Sequence, residues 1–292
     1  MSRTSAIDRP LPIRRSRDAA RGWSLGWRLP LAGVVALPFV VPFLWLVASA
    51  LKPISQFYAA PPALLPDPPS LANLEGVLRL VDVPRLFGNS LAIAGTSVAL
   101  TVLSSAVVGF AFATQQARGR RLLFAILLVT IMVPPSATIV PQFILFSRLD
   151  WVGTWLPLIV PNAFGSAFFI FLFRQWFKGL PAHVFENAEL DGATPWQVFR
   201  HVAMPLSGPA VAAVAVFAFV GSWNDFLAPL VYLRSPGDYT ISLGLASFAG
   251  IHVNEVHHAL ALALIALVPP VVVVAVAQRF LLRGIATTGW RV

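Results

Sequence analysis

The chain has no cysteine. Neither a disulfide framework nor a thiolate metal site can form without it. Charge is scarce too: 11% of the 292 residues are Asp, Glu, Lys or Arg, against about 25% in soluble domains. Lysine occurs only at Lys52 and Lys178. There is no G-x-x-x-x-G-K-[ST] run, so this chain cannot cradle nucleotide phosphates in a P-loop of its own. The few acids and histidines are scattered, which argues against an integral membrane enzyme, whose catalytic groups must face one cavity.

What remains is apolar. Hydrophobic residues make up 57% of the chain. A soluble domain of this length would expose large apolar patches and aggregate, whereas a bilayer accepts them. A helix crossing a ~30 Å hydrocarbon core needs about 20 apolar residues. Six stretches qualify: 29–51, 89–114, 122–146, 155–176, 206–233 and 259–282. They are continuously apolar, unlike the ~10-residue alternating strands of membrane barrels. The expected fold class is all-α: a polytopic membrane protein with six transmembrane helices spread over 29–282. An arginine-rich segment, 1–28, precedes it, and a short tail, 283–292, follows. Ala48-Ser49-Ala50 imitates a signal-peptide cleavage site, but the apolar run and the basic segment before it are too long for a signal peptide.

The formal net charge is +9. Its basic residues flank apolar runs instead of forming a soluble basic face, so no nucleic-acid partner is expected. Arg3, Arg9, Arg14, Arg15, Arg17, Arg21 and Arg28, then Arg118, Arg120 and Arg121, then Arg174, Lys178 and Arg200, then Arg279, Arg283 and Arg291 all fall on one side of a six-span chain. The positive-inside rule makes that side, with both termini, cytoplasmic.

Two outer loops carry weaker signals. Residues 52–88 are proline-rich, and such stretches stay extended and resist helix; a passive linker and a contact with an outside partner both fit. His252, His257 and His258 lie in the outer loop before the last span. No cysteine or carboxylate pattern accompanies them, so a solvated loop is expected and no metal site.

The inner loop 181–205 is the informative segment. Pro181 suits a first helical turn, and Gly192 suits the left-handed position just past a helix end. Thr194, Pro195 and Gln197 are spaced as a capping box that starts a second helix, and Pro205 closes it. The reading is two short helices joined at a glycine elbow. Val184, Phe185, Trp196, Val198 and Phe199 give it apolar surface, among the acids Glu186, Glu189 and Asp191. That combination suits a docking knob. An interfacial lipid-lying helix is the alternative, but its acids would be repelled by anionic lipid.

The order Glu186, Ala188, Gly192, Val202, Pro205 resembles the EAA loop of ABC importer permeases: E-A-A, three residues, G, nine residues, I-x-L-P. Asn187 replaces the first alanine of the pair, Val202 the isoleucine and Met204 the leucine. Further segments resemble the MalG-like sugar permeases, the binding-protein-dependent inner-membrane components. They are Asn89-Ser90-Leu91, Met132-Val133-Pro134-Pro135, Phe173-Arg174-Gln175, Trp223-Asn224-Asp225-Phe226, Tyr239-Thr240, Gly244-Leu245 and the tail from Gly284 to Arg291.

The resemblance implies the type I ABC importer permease fold in a bacterial inner membrane. It implies a loop whose Phe185, Glu186, Asn187, Ala188, Asp191, Gly192, Trp196 and Pro205 dock on an ATPase dimer. ATP and magnesium then belong to those ATPase subunits, and this chain binds no cofactor. A second, MalF-like permease, an extracytoplasmic solute-binding protein and membrane lipid are the other implied partners. Within span five, Trp223, Asn224 and Asp225 form an aromatic and polar cluster suited to sugar hydroxyls. A structural hydrogen-bond network is the alternative, since intramembrane polar groups also join helices. An ion-gradient-driven secondary transporter is the alternative function, although no internal repeat of the kind expected there is evident. Prolines 134, 135, 269 and 270 are candidate bends.

Overall fold

The computed structural model describes residues 28–57, 59, 63–250 and 255–288. The arginine-rich 1–27, His252 and the last residues of the tail lie outside that set. The chain divides into two compact units, Met1–Val47 and Ala48–Val292. The first holds most of helix α1 (Arg28–Ala50), which carries Pro38 and Pro42 in its interior.

Within the second unit the described residues are helical or irregular, with no strand. Helix α2 (Ile54–Phe57) and helix α3 (Ala72–Leu80) precede the long helix α4 (Val83–Thr114). Asp82 starts α4 by accepting from the Arg85 N–H at 3.1 Å. Helices α5 (Arg120–Thr130) and α6 (Pro135–Arg148) follow. Next come α7 (Leu156–Ile159), a 3₁₀ turn at Val160–Phe164 and α8 (Ala167–Gly179). Helices α9 (Ala182–Leu190) and α10 (Pro195–Val198) form the elbow. Helices α11 (Gly208–Trp223), α12 (Leu227–Tyr232), α13 (Ile241–Gly250) and α14 (Val256–Thr288) complete the unit.

Among the described residues five helices are long and apolar enough to cross a membrane, and a sixth span arises if α5 and α6 count as one. That pair is bent by 98°. The bend falls at Pro134 and Pro135, where Pro134 is extended and Pro135 opens α6. Pro269 and Pro270, by contrast, sit inside an unbroken α14. Span five is also shorter than its apolar run: helix stops at Trp223 and restarts at Leu227.

Helix α4 is the axis of the second unit. Its Ser97, Ser104 and Thr101 bond Leu158 O, Asn162 O and Asn162 Oδ1 at 3.0–3.2 Å. These polar contacts join α4 to the α7–α8 segment, as small hydroxyl residues do between membrane helices. Gly109 lets the two helices close further. A Cβ there would lie 2.7 Å from Phe173 Cβ and 3.1 Å from the Arg174 nitrogen.

Two apolar clusters result. One holds Leu86 and Ala94 of α4 with Phe219 and Trp223 of α11, Ile241 and Phe248 of α13, and Leu262 of α14. The other holds Val102, Ala106 and Phe110 of α4 with Phe173, Phe177, Val198, Phe199 and Val214.

Among the described residues, the proline-rich loop and the loop that carries the histidines each contain a helix that the sequence reading does not place. Residues 72–80 of the proline-rich loop are the helix α3, whose Asn73 and Val77 are buried. Asn73 Nδ2 donates to Ala50 O at 3.0 Å and Lys52 O at 2.8 Å. The expectation of solvated histidines fails at His257, which is 5% exposed and lies in the first turn of α14. His258 packs over Gly76, where a Cβ would meet its ring, and faces Glu255 at 3.4 Å. Among the described residues no group of three or more metal-ligating side chains forms.

Candidate coupling elbow and polar cluster

The elbow is built by local signals. Pro181, extended at φ −61° and ψ 131°, stands one residue before α9 instead of inside its first turn. At the other end Gly192 has φ +79°. Its N–H donates to Glu189 O and the Ala193 N–H donates to Ala188 O, both at 3.0 Å. Those two bonds are the Schellman arrangement, which satisfies the last carbonyls of a helix and needs a left-handed residue. Thr194 then caps α10. Its backbone N–H donates to Gln197 Oε1 at 2.7 Å, and its hydroxyl oxygen accepts from the Gln197 N–H at 3.4 Å. The capping box expected from the sequence is present.

Beyond α10 the chain winds as a π-helix over Phe199–Ala203, then as a 3₁₀ turn over Pro205–Ser207. Pro205 lacks an N–H and cannot extend the preceding ladder. The helical path shifts there and continues into α11 at Gly208.

The apolar side chains of the loop divide into two groups. Val198 and Phe199 are 3% and 5% exposed. They turn inward, and Phe185 is half-buried beside them. Phe110 of α4 is the hub: its ring lies 5.4 Å from Phe177, 6.2 Å from Phe185 and 5.4 Å from Phe199. These residues hold the elbow to its own bundle, with Val198 and Phe199 buried in it and Phe185 half-buried at its edge.

The apolar surface left outside is Leu190, 85% exposed, and Trp196, 59% exposed. Trp196 stacks on Phe199 with centroids 5.2 Å apart. Glu186, Asn187, Glu189 and Asp191 are exposed around them. Asn187, the departure from the motif, therefore costs no packing. Ala188 is half-buried and packs on the inner cluster. Sequence reasoning missed Leu190, although its place just before Asp191-Gly192 marks the tip of the elbow. A groove of about 440 Å³ runs behind α9, with Gln115, Gln116, Lys178, Glu186 and Glu189 on its walls.

The span-five cluster separates into unlike parts. Trp223 is 2% exposed. Its indole N–H donates to Ala266 O at 3.0 Å, and its carbonyl accepts from the Ser242 hydroxyl at 2.6 Å. Phe219 stacks on it and Phe87 meets its edge. Trp223 thus ties α4, α11, α13 and α14 together. Asn224 is exposed and Asp225 half-buried, and Asp225 Oδ1 accepts from the Ala228 N–H at 3.2 Å. The adjacent Phe226 lines an apolar groove of about 370 Å³ with Ser242, Leu245 and Phe248.

Residues 105–287 match the family described as binding-protein-dependent transport system inner membrane component. The chain is 32% identical over 270 residues to the arabinooligosaccharides transport system permease protein AraQ of Halalkalibacterium halodurans, covering 91% of this chain and 96% of that one. It is 31% identical to the lactose transport system permease protein LacG of Rhizobium radiobacter, over 84% and 89% of the two chains. In fold it is similar to a chain from a bacterial ABC transporter involved in the import of the acidic polysaccharide alginate. There the TM-score is 0.74 at 20% identity, over 88% of this chain and 98% of that chain. The elbow, the apolar helices and these likenesses agree, and the chain belongs to the binding-protein-dependent transport system inner membrane component family.

Proposed function

We propose that this chain is the membrane-spanning permease of an ATP-driven importer for a sugar or sugar-like solute, and that a separate ATPase subunit grips it at the 181–205 elbow. The carrying observation is the division of the elbow's side chains. One group, Phe185, Val198 and Phe199, is held by Phe110. The other, Leu190 and Trp196 ringed by Glu186, Glu189 and Asp191, faces out. An outward apolar tip with an acidic collar suits a protein cleft lined by basic and apolar groups. The inward aromatic anchor makes the elbow move with α4, α8 and α11.

The rest of the assembly follows from that role. This chain lacks a P-loop, so ATP and magnesium are bound by the partner ATPase dimer. A second permease closes the translocation path, and an extracytoplasmic binding protein delivers the solute. The elbow side is cytoplasmic, as its arginines favour. Closure of the ATPase dimer pulls the elbow and turns the path from inward-facing to outward-facing. Driving such a two-state change from 1:99 to 99:1 takes about 5.5 kcal/mol of differential interaction, which ATP-driven docking supplies. The relatives' names, arabinooligosaccharides and lactose, favour an oligosaccharide. Nothing in the fold or the relatives supports the ion-gradient alternative.

Glu186→Lys reverses one charge of the collar, and Gly192→Pro removes the left-handed turn. Each is expected to abolish solute-stimulated ATP hydrolysis by the reconstituted complex while the chain still inserts in the membrane. Unchanged uptake in both variants overturns the docking role.

A further inference from the structure

A basic turn lies beside the elbow, between α4 and α5. Arg118 and Arg121 are exposed there. Arg120 Nη1 donates to Gln115 O at 2.6 Å and so braces the turn. The 116–121 segment lines a shallow groove of about 470 Å³. Gln116 is a wall of both this groove and the one behind α9, which places the turn at the elbow end of the bundle.

Two facts suggest an occupant. The first is unbalanced charge. Arg174 is occupied by aromatic and backbone groups, with its guanidinium 3.9 Å from the Phe124 ring centroid and its Nε donating to Phe112 O. Among the described residues no carboxylate forms an ion pair with Arg118, Arg120, Arg121 or Arg174. The second is what adjoins the arginines. Leu122, Ile126 and Val129 recur one helical turn apart and are 66%, 53% and 60% exposed, with Leu123 beside them at 57%. Basic side chains at the foot of an exposed aliphatic face match a phosphate headgroup with its acyl chains above it.

We propose that the 118–121 turn and the aliphatic face of α5 seat one anionic phospholipid of the leaflet on the elbow side. Basic residues near a membrane surface each add attraction for anionic headgroups, and guanidinium groups suit phosphate oxygens. An acidic face of the ATPase would satisfy the arginines equally, but a water-soluble subunit has no use for the aliphatic stripe above them. The proposed seat adjoins the groove behind α9 through Gln116, which lines both. This inference takes the sidedness of the proposed function, but the binding readout does not depend on it.

The test is native mass spectrometry of the full-length chain in detergent, purified with whatever subunits accompany it. Phosphatidylglycerol, phosphatidylcholine and free glycerol phosphate are the probes. We expect wild type to retain phosphatidylglycerol at least tenfold more strongly than phosphatidylcholine. In Arg118→Gln/Arg121→Gln that preference should vanish. It should survive in Arg118→Lys/Arg121→Lys, and in Arg79→Gln/Arg148→Gln, which removes equal charge elsewhere. Equal loss in both glutamine variants, or no loss in either, overturns the site. Glycerol phosphate competing as well as the lipid also overturns it, because the aliphatic stripe then contributes nothing. Loss of ATPase capture in Arg118→Gln/Arg121→Gln with lipid retention unchanged makes the turn a protein contact and overturns it too. Failure of wild type to capture any ATPase refutes the coupling role alone, since lipid retention is measured separately.

Discussion

Phe110 of α4 meets Phe199 of the elbow with ring centroids 5.4 Å apart. The same ring touches Phe177 and Phe185, so one side chain joins two transmembrane helices to both arms of the elbow. Phe110→Ala is expected to cost about 3–5 kcal/mol, the usual range for emptying a large core aromatic position. Phe110→Leu, which refills most of the volume, should recover much of it. Thermal unfolding in detergent measures the stability. Solute-stimulated ATP hydrolysis measures the coupling, which should fall further than unstimulated hydrolysis in the alanine variant. Equal melting of all three proteins would show that the ring carries no load.

Gly192 separates backbone strain from crowding. It has φ +79°, and nothing lies within 4 Å of a Cβ added there. Gly192→Ala therefore meets no neighbour and costs only the left-handed conformation, about 1–2 kcal/mol for an L-residue. Gly192→Asn should cost less, because asparagine visits that region more readily. Circular dichroism and capture of the ATPase subunit on this series should rank glycine, asparagine, alanine in that order. A ranking by side-chain size would mean that the elbow is crowded in the assembly.

The elbow was readable from sequence because its determinants are local. Gly192, the Thr194–Gln197 box and Pro205 act on backbone within a few residues of themselves. The facing of Phe185, Val198 and Phe199 was not readable, because a short loop helix carries no sign of which neighbour lies beneath it. The same limit explains span five. A continuously apolar run shows how long a helix may be in lipid and not where it breaks, so the stop at Trp223 was invisible. The sharp bend before α6 had a local cause in the Pro134-Pro135 pair, whereas Pro269-Pro270 in α14 left the helix unbroken. Helix α13 was hidden for a different reason: at ten residues it is too short for a span, and its partners are far away in sequence.

Gly109 sets how closely α4 and α8 approach. The added Cβ of Gly109→Ala would lie 2.7 Å from Phe173 Cβ and 3.1 Å from backbone at residues 170 and 174. Backbone cannot swing aside as a flexible side-chain end can, so the helices must part. Overpacking of this kind costs about 1–3 kcal/mol. Gly95→Ala, on the same helix with nothing within 4 Å, is the control and should be neutral to stabilising by up to about 1 kcal/mol, since alanine is the better helix former. Detergent melting of the two variants makes the comparison, and equal midpoints would count against close packing.

Asn89 and the 237–239 segment are 148 residues or more apart in sequence and bonded in the fold. Asn89 Nδ2 donates to Gly237 O at 2.9 Å and to Tyr239 O at 3.0 Å. Beside it, Ser90 Oγ accepts from the Ile241 N–H at 2.7 Å. Gly244 then lies against Leu86, where a Cβ would come within 2.5 Å of Cδ1. Asn89→Asp replaces the donating amide with acceptor-only oxygens facing two carbonyls. Asn89→Leu takes the amide donor from Tyr239 O, leaves Gly237 O with its Arg85 Nε donor at 2.9 Å, and adds no repulsion. Leaving a buried polar group unsatisfied costs about 1–3 kcal/mol, and the aspartate should cost more than the leucine. Limited proteolysis at Arg234, the nearest trypsin site to this segment, should speed up in that order. Cutting at the wild-type rate in both variants would mean that the entry to α13 is held without Asn89, by Arg85, Trp155, Ser90 and Leu86.

Trp223 and Asp225 separate structure from transport at the span-five break. Trp223 is buried and bonded on both sides, so Trp223→Phe should lower the melting point by losing the Ala266 bond, with solute preference unchanged. Asp225 is half-buried and its carboxylate accepts from Ala228. Asp225→Asn keeps an oxygen for that bond and removes the charge, so stability should hold. Asp225→Ala loses the bond and should cost about 1 kcal/mol. If the carboxylate also receives sugar hydroxyls, the asparagine variant should import more slowly at an unchanged melting point. If it only braces the chain between α11 and α12, import should track stability across all three variants. Uptake and melting measured side by side distinguish a solute contact from a structural brace at this position.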